Sequence, residues 1–397
     1  MVDFSLTEEQ LALRQFARDF AEKEIRPVAA RLDRIADPNA ISAWDIYRKM
    51  HDLGFMGMMR PKAFGGLGLK MQDLCLVIEE FAAVDAGVAT AFILLQGLGL
   101  VFLGYGNEEQ RARWLPQIFG DRLFVLSIAF TESDRAGSDI LSPSPDPKQG
   151  FRTHARLDGG HYVINGAKSA WVSNSGPEAD AYLVVCRTDL DRPQSESLTM
   201  FYVPRDTPGL SIGKQTDKIG LRLTDHAEVY FDDVRVPVNN RIGAEGQAPA
   251  MVDAGLAVST IGVGVVGVGL ARAAVDYATD YAKQRKSWGQ PLIEHQAIAM
   301  MLADMHIDVE AARSLAWHAA WGIDSRSKAP DVYRRCCMVK IHGSEMAVRV
   351  TEKAMNVLGA YGLSREYPVE KWHRDALAGP IEDIHNILWR LKIAKSL

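Results

Sequence analysis

Three short stretches near the carboxyl end of the sequence decide the fold: Gly359-Ala360-Tyr361-Gly362, Tyr367-Pro368-Val369-Glu370-Lys371 and Arg374-Asp375-Ala376. Their residue types predict a loop, a short charged turn and then a final helix that reaches Arg390. The dipeptide Gly379-Pro380 precedes that helix, and such a pair is typical of one helix ending and another starting. The chain is therefore predicted to finish on a helix.

Two adjacent acids, Glu382 and Asp383, are predicted to lie in the first turn of this helix, between Ile381 and Ile384. Apolar neighbours hinder the solvation of a carboxylate, which raises its pKa and suits it to accept a proton near neutral pH. A simpler interpretation is that both acids complement the positive end of the helix dipole. The residues alone leave both interpretations open.

The order of these stretches resembles the carboxyl-terminal signature of the flavin-dependent acyl-CoA dehydrogenase family. In that family a base glutamate follows Arg-Asp-Ala at a fixed interval and precedes Gly-Thr. A count without gaps from Arg374 to Arg390 places the base at Asp383, while Ile384 and His385 occupy the Gly-Thr positions. The resemblance thus implies Asp383 as the catalytic base, where the family has glutamate.

The composition of the 397 residues is ordinary for a soluble globular enzyme, with 47% apolar and 24% charged residues. The length allows two or three domains. A net charge of −5 argues against a general nucleic-acid binder. The four cysteines lack CxxC spacing, which fits a reducing compartment and no thiol-based metal site. Because the N-terminus is charged, it does not resemble a secretory signal, and a cytoplasmic location is expected.

The pattern along the chain predicts an α+β, mainly α protein with three domains. Residues 1–122 read as helices, the first of them opened by a capping box of Thr7 and Gln10. Residues 123–245 contain short β-rich pieces between Gly, Pro, Asn and Asp, which predict a small antiparallel barrel or sandwich. Residues 246–397 are helical again, and the resemblance implies a four-helix bundle there.

The segment from Ala254 to Ala271 has no charge and contains five glycines. Its length would allow a membrane span, but its charged flanks, Asp253 and Arg272, favour a closely packed interior helix. The stretch from Gly262 to Gly267 also matches the dinucleotide fingerprint GxGxxG. No second parallel strand follows to complete a βαβ unit, so a Rossmann site is disfavoured.

Two segments of the predicted β domain resemble the family's flavin loop and its partner strand. One runs from Phe130 to Asp139 and the other from Asn165 to Asn174, and each has one residue more than the commonest family spacing. Taken singly, each hydroxyl residue is better explained by a role in a turn, and each aromatic residue by packing. The FAD contacts that the resemblance implies here are Phe130, Thr131, Gly137, Ser138, Trp171 and Ser173.

The segment from Arg285 to Gln296 resembles the family's Arg-x-x-Phe-Gly-x-x-Leu-x-x-x-Gln motif, and a guanidinium suits a pyrophosphate. In the family this loop serves the FAD of a neighbouring subunit, together with a Gln-x-x-Gly-Gly loop. That second loop is Asn356 to Ala360 here, and glycine lets backbone N–H groups approach phosphate closely. The implied FAD contacts of this group are Arg285, Ser287, Trp288, Gln296, Asn356, Gly359 and Ala360, with His385 beside the base.

The resemblance covers essentially the whole chain and implies a homotetrameric, FAD-dependent acyl-CoA dehydrogenase. A carboxylate removes the proton α to a thioester carbonyl while hydride leaves the β carbon for flavin N5. The expected substrate is an acyl thioester, with CoA as the expected carrier. The electron acceptor, a flavoprotein or O2, is left open.

Three departures from the family bear on the reaction. Asp383 is one methylene shorter than glutamate, Ser259 stands where some members carry the base, and Thr260 replaces a frequent arginine. A shift of one residue would moreover select Glu382 as the base. The alternatives are a nitroalkane-oxidase-like flavoenzyme with an Asp base, or a catalytically weak FAD- or ligand-binding subunit. An active thioester dehydrogenase is the preferred hypothesis.

Overall fold

The computed structural model describes residues 5–141, 143–325 and 331–397 of the protein. Helices form the first and last parts of this described chain, and an eight-stranded sheet lies between them in sequence. The predicted α+β, mainly α class, with a helical domain on either side of a β-rich one, is confirmed. The domain boundaries after 122 and 245 remain predictions.

The first helix, α1, spans Glu8–Phe20. The Thr7 hydroxyl accepts a hydrogen bond from the Gln10 N–H at 3.2 Å, while the Gln10 side chain accepts one from the Thr7 N–H at 3.1 Å. The predicted capping box is therefore confirmed. The helices that follow are α2 Arg26–Asp33, α3 Trp44–Asp52, α4 Met71–Ala82, α5 Ala86–Gly97, α6 Leu100–Tyr105 and α7 Glu108–Ile118.

Four buried phenylalanine rings link these helices. Phe20 contacts Phe55 with ring centroids 5.4 Å apart, Phe55 contacts Phe81 at 5.2 Å, and Phe81 contacts Phe92 at 5.1 Å. Burial of such a side chain stabilises the fold by about 1.5–3 kcal/mol. The row of rings holds α1, α4 and α5 together.

The central sheet contains eight strands. They are β1 Leu126–Ala129, β2 His154–Asp158, β3 His161–Ser173, β4 Ala181–Arg187, β5 Leu198–Pro204, β6 Leu210–Gln215, β7 His226–Pro237 and β8 Arg241–Ile242. Their spatial order is β6-β7-β3-β2-β4-β5-β8, with β1 beside β4. A four-residue helix, α8 Gln194–Ser197, precedes β5.

The sheet is mixed, so the prediction of a purely antiparallel arrangement is wrong. β1 pairs with β4 in parallel, with Leu126 opposite Ala181, and one residue pair joins β2 to β4 in parallel. Every residue of β4 is buried, and parallel strands are usually covered on both faces. The nearly continuous apolar run from Leu123 to Phe130, broken only by Ser127, was the signal of such a strand.

β3 bulges where it approaches its end. Residues 169–171 stand opposite a single residue of β7, Glu228. The Ser169 N–H in this bulge donates a hydrogen bond to the carbonyl oxygen of Thr131 at 2.8 Å. The flavin-loop segment and its partner strand, each one residue longer than the commonest family spacing, therefore contact each other. The bulge changes the direction of the side chains that follow it on β3.

The last part of the described chain is built on three long helices and two short ones. They are α9 Ala248–Gln284, α10 Gln296–Asp324, α11 Asp331–Leu358, α12 Val369–Ala376 and α13 Asn386–Lys395. A small hairpin, β9 Lys286–Ser287 and β10 Gln290–Pro291, joins α9 to α10.

α9 and α11 cross in backbone contact at two glycines. A Cβ on Gly264 would lie 2.5 Å from the carbonyl oxygen of Val339, and one on Gly343 would lie 2.4 Å from the carbonyl oxygen of Gly264. No side chain fits at these distances, which confirms the predicted close packing. The GxGxxG stretch from Gly262 to Gly267 lies inside a helix, not at a strand-to-helix turn.

Two segments, Ala86–Tyr105 and Ala248–Gln284, are long and apolar enough to cross a membrane. Their most apolar windows are 61% and 76% buried inside the protein. A helix that is apolar on all sides is either a core helix or a membrane span. The glycine crossing just described makes α9 a core helix.

The final helix starts later than predicted. α13 begins at Asn386, capped by the His385 side chain, so Glu382 and Asp383 lie in the preceding loop and not in a first helical turn. Asp383 and Ile384 have φ angles of +48° and +71°. Left-handed backbone cannot continue a right-handed helix, so α13 begins only after these two residues.

Candidate active site

The loop between α12 and α13, residues 377–385, accepts hydrogen bonds on its backbone from α11 and α13. The Trp389 ring N–H donates to the carbonyl oxygen of Asp383 at 3.1 Å, and the Asn386 N–H donates to that of Pro380 at 3.0 Å. The ammonium of Lys340 on α11 donates to the carbonyl oxygen of Ile384 at 2.9 Å. The left-handed turn is thus fixed from two helices, which offsets the cost of its backbone conformation.

Lys340 is fully buried and also donates to the Asn386 side chain at 2.7 Å. Burial lowers the pKa of Lys340 to about 8, while the negative charges of Asp383 and Glu382 oppose that effect. The ammonium form therefore predominates at neutral pH. One positive charge therefore lies against the loop that carries Glu382 and Asp383.

Asp383 has an incompletely satisfied carboxylate. Burial raises its pKa, while the nearby Ser259 hydroxyl on α9 and the charge of Lys340 lower it. Its Oδ2 atom is buried and has no hydrogen-bond partner, and no hydrogen bond of the described residues uses its backbone N–H. A buried oxygen of this kind can still accept a further hydrogen bond or a proton.

Glu382 is the second acid of the loop. Burial raises its pKa to about 7; the charges of Lys340 and Lys218 lower it, and that of Asp383 raises it. Both acids therefore have the raised pKa that a base working near neutral pH requires. The argument that neighbours on a helix must point apart does not apply, because both residues lie in a loop.

Phe130, Thr131 and Gly137 pack against one another at the end of β1. A Cβ on Gly137 would lie 2.4 Å from the Thr131 hydroxyl and 2.6 Å from the Phe130 ring, so only glycine fits. Below them, the buried ammonium of Lys168 donates to Glu132 at 2.9 Å and to the carbonyl oxygen of Phe130 at 3.0 Å. A buried ion pair thus supports this loop. The side chain of Ser138 lies outside the described part of the structure.

Trp171 and Ser173 follow the bulge of β3. Trp171 is 58% exposed, so its ring is accessible to a planar partner. Ser173 Oγ lies 3.0 Å from Nε2 of His226 on β7. The bulge therefore presents an open ring and a hydrogen-bonded hydroxyl on one strand.

The second predicted group lies at one end of the C-terminal helices. The guanidinium of Arg285 lies 5.7 Å from the centre of the Tyr361 ring, so the loop after α9 meets the loop after α11. Trp288 is 96% exposed at a φ of +52°, and Ser287 is half-buried. The exposed members of the group are Arg285, Trp288, Gln296, Asn356, Gly359 and Ala360.

The two predicted groups form separate surfaces of one chain. Among residues 5–141, 143–325 and 331–397, no hydrogen bond or ring contact joins the β-domain group to the group around Arg285. His385 caps α13 two residues after Asp383 and is exposed. The arrangement is the one expected if each surface meets a different copy of the cofactor.

Lys340, His226 and Lys218 were missed by the sequence analysis. Lys340 lies on a long helix at a position that carries no recognisable motif. His226 meets Ser173 only through the pairing of β3 with β7, and Lys218 reaches it from the loop before β7. The register of β3 against β7, which pairs Ser173 with His226, was the signal that could have identified His226.

Family models for the N-terminal, middle and C-terminal domains of acyl-CoA dehydrogenases match residues 7–121, 127–234 and 249–390. The chain belongs to the acyl-CoA dehydrogenase family. The resemblance found in the sequence is thereby confirmed. Enzymes of the acyl-CoA dehydrogenase family are FAD-dependent oxidoreductases, and this chain is an enzyme of that type.

Individual acyl-CoA dehydrogenases match over the whole chain. An acyl-CoA dehydrogenase of Bacillus subtilis is 34% identical over 99% of this chain and 98% of its own length. A benzylmalonyl-CoA dehydrogenase of Aromatoleum aromaticum is 36% identical over 100% of both chains. The structure of butyryl-CoA dehydrogenase from Megasphaera elsdenii has a TM-score of 0.89 and 30% identity, over 100% of this chain and 99% of that one.

Proposed function

We propose that this chain dehydrogenates an acyl thioester and that Asp383 is the base that removes the α proton. The observation that carries the proposal is the buried, unpartnered Oδ2 of Asp383, the residue that a count without gaps matches to the family's base glutamate. A carboxylate that is poorly solvated and has a free lone pair is suited to accept a proton from carbon. Glu382, whose pKa is also raised, is the alternative base.

Groups around the loop between α12 and α13 assist the proton transfer. Ser259 on α9 and Lys340 on α11 stabilise the charged form of Asp383 and so oppose the rise in its pKa that burial causes. Negative charge develops on the thioester carbonyl oxygen as the proton leaves. The unused N–H of Asp383 is a donor for that oxygen, and a fixed donor stabilises such charge without reorganisation.

The residues present fit the FAD that the family implies. Gly359 has a φ of +61°, and no atom lies within 4 Å of the place where its Cβ would be, so a phosphate can approach its backbone. Arg285 beside it is exposed and suits a pyrophosphate. Trp171 and Ser173 would meet the isoalloxazine ring. When bound, FAD supplies the acceptor for the hydride that leaves the substrate β carbon.

The alternatives to a thioester dehydrogenase receive less support. The relatives named above are dehydrogenases of CoA thioesters, which favours this substrate class over nitroalkanes. A binding subunit without activity would not need a base with a raised pKa and an open oxygen. We therefore keep CoA as the proposed carrier. The cytoplasmic location remains a prediction from the sequence.

We further propose an oligomer of at least two chains, and a homotetramer as its final form. The surface around Arg285 and Trp288 and the surface around Trp171 are separate within one chain. If the surface around Arg285 serves the FAD of a neighbouring subunit, as in the family, a second chain completes each site. Light scattering should find an oligomer, and a monomer with full FAD occupancy would refute the shared site.

The visible spectrum of the purified protein tests the cofactor site. We expect a yellow protein with about one FAD per chain, and Arg285→Glu should lose flavin because it sets an anion against the pyrophosphate. Lys286→Glu is the matched control, since it makes the same charge change at the next exposed position. A colourless protein that takes up no added FAD would overturn the proposed function.

A further inference from the structure

Ser173 ends a chain of hydrogen bonds that also contains His226 and Lys218. Ser173 Oγ lies 3.0 Å from Nε2 of His226, and Nδ1 of His226 lies 2.8 Å from Nζ of Lys218. Ser173 and His226 face each other across β3 and β7. Lys218 comes from the segment between β6 and β7, where its ammonium also donates to the carbonyl oxygen of Thr224. Two strands and one loop thus build a single array.

The hydrogen-bonding capacities of the three side chains determine which of them donates and which accepts at each step of the array. An ammonium group can only donate, so Nδ1 of His226, 2.8 Å from Nζ of Lys218, accepts from it. The carbonyl oxygen of Thr224 lies farther from Nδ1, at 3.3 Å, and already accepts from Lys218. Burial and the charge of Lys218 lower the pKa of His226 well below its usual range, so the ring is neutral and carries its proton on Nε2. That N–H donates to Ser173 Oγ. The hydroxyl proton of Ser173 is therefore left for an acceptor outside the array.

Lys218 keeps its proton at neutral pH. Burial lowers its pKa to about 8; the carboxylates of Asp225, Glu382 and Asp375 raise it, and Arg222 lowers it. A group with a pKa near 8 is mostly protonated at pH 7. The ammonium charge of Lys218, which keeps the His226 ring neutral, is thus stabilised in part by the carboxylate of Glu382.

We propose that His226 is a positioning residue that holds the Ser173 hydroxyl as a hydrogen-bond donor toward the bound flavin. This inference rests on the proposed FAD site. The exposed ring of Trp171 lies two residues before Ser173 on the same strand and meets the edge of His226, with centroids 6.0 Å apart. The open side of Trp171 is where a planar ring can stack.

A fixed donor discriminates between the two redox forms of the cofactor. Oxidised flavin presents bare ring nitrogens and carbonyl oxygens along its edge, which accept hydrogen bonds. In the reduced form one of those nitrogens would carry a hydrogen, and the Ser173 hydroxyl would then find a donor there instead of an acceptor. The array therefore binds the oxidised form more tightly than the reduced form and lowers the reduction potential.

The first test needs neither activity nor cofactor. In the protein as purified, ¹⁵N-histidine NMR should show His226 neutral at pH 7, with the proton on Nε2. Lys218→Met should raise the pKa of His226, because it removes a nearby positive charge. A ring that is cationic at pH 7, or protonated on Nδ1 alone, would overturn the proposed order of donors.

The second test compares two substitutions at one position. His226→Gln can still accept from Lys218 and donate to Ser173, so it should preserve the flavin potential. His226→Phe keeps a ring beside Trp171 but neither hydrogen bond. It should weaken binding of oxidised FAD about 2- to 10-fold, the equivalent of one neutral hydrogen bond, and affect reduced FAD less. The potential should accordingly rise by up to about 30 mV.

Tyr230→Phe serves as the control, because Tyr230 is exposed on β7 four residues from His226 and outside the array. If His226→Phe and His226→Gln give the same potential and the same FAD affinity, this inference is overturned while the dehydrogenase proposal stands. A protein that binds no FAD would overturn the proposed function and this inference together. The two failures are therefore distinguishable.

Discussion

Asp383→Asn separates the proton acceptor from the other roles of this residue. Asparagine has nearly the shape of aspartate, and the anchors from Trp389 and Lys340 end on the backbone oxygens of Asp383 and Ile384, which the substitution leaves in place. The loop and the bound flavin should therefore persist. Bleaching of the flavin by substrate should slow about 10²–10⁴-fold, which is the usual contribution of a positioned general base.

The pH dependence of the same reaction has a predicted sign. A base works only when it is deprotonated, so the bleaching rate of the unmutated protein should rise with pH and level off above the pKa of the base. Burial raises the pKa of Asp383 above its ordinary value. The bleaching rate should therefore increase over a higher pH range than it would with an exposed aspartate as the base. If Glu382 were the base, the midpoint would lie near its pKa of about 7.

Stopped-flow mixing of the oxidised protein with substrate, without oxygen, measures this rate directly. Glu382→Gln is the matched control, since it neutralises the adjacent acid of the same loop and should change the rate little. A large effect of Glu382→Gln with a small effect of Asp383→Asn would show that the base lies one residue earlier. If neither substitution slows the reaction, the loop does not contain the base and the reasoning from the unpartnered Oδ2 is refuted.

Two further predictions concern glycines. Gly264→Ala should lower the thermal unfolding midpoint, because its Cβ would lie 2.5 Å from the Val339 carbonyl oxygen, whereas Gly255→Ala in the same helix meets no atom within 4 Å. Gly255→Ala should instead stabilise by about 0.8–1 kcal/mol, and equal effects of both would contradict the close helix crossing. Gly137→Ala should weaken FAD binding in a fluorescence titration, since its Cβ would lie 2.4 Å from the Thr131 hydroxyl; unchanged affinity would argue against this loop as a flavin site.

The fold was largely predictable because local patterns and tertiary packing agree. The capping box of Thr7 and Gln10, the helical first and last parts and the close packing at Gly264 and Gly343 all follow from residue types and their spacing. The direction of β1 was not predictable in the same way. Its parallel pairing with β4 depends on which strand it reaches after a long connection, and strand spacing carries no such information.

The start of α13 shows a different limit. Gly379-Pro380 correctly marked the end of one helix, but the chain then passes through left-handed backbone at Asp383 and Ile384. A β-branched residue such as Ile384 rarely adopts that conformation. Tertiary hydrogen bonds, including the one from Lys340, hold that conformation. A sequence pattern that considers only neighbours cannot include a lysine on another helix.

The candidate site was predictable where it follows family motifs and not where it depends on contacts between distant residues. Asp383 could be located by counting from Arg374, while its open oxygen could not. His226 and Lys218 belong to no motif and become neighbours of Ser173 only through strand register and a loop that folds back. No short-range pattern contains that information.

Anaerobic titration of the FAD-loaded protein with a panel of acyl-CoA thioesters tests the central claim most directly. The panel should include butyryl-CoA and benzylmalonyl-CoA, the compounds for which two of the relatives are named, and nitroalkanes should be titrated beside it. We predict that at least one thioester bleaches the visible absorbance of the flavin and yields one α,β-unsaturated thioester per FAD reduced. Bleaching by a nitroalkane alone, or by no compound at all, would contradict the assignment of a thioester dehydrogenase.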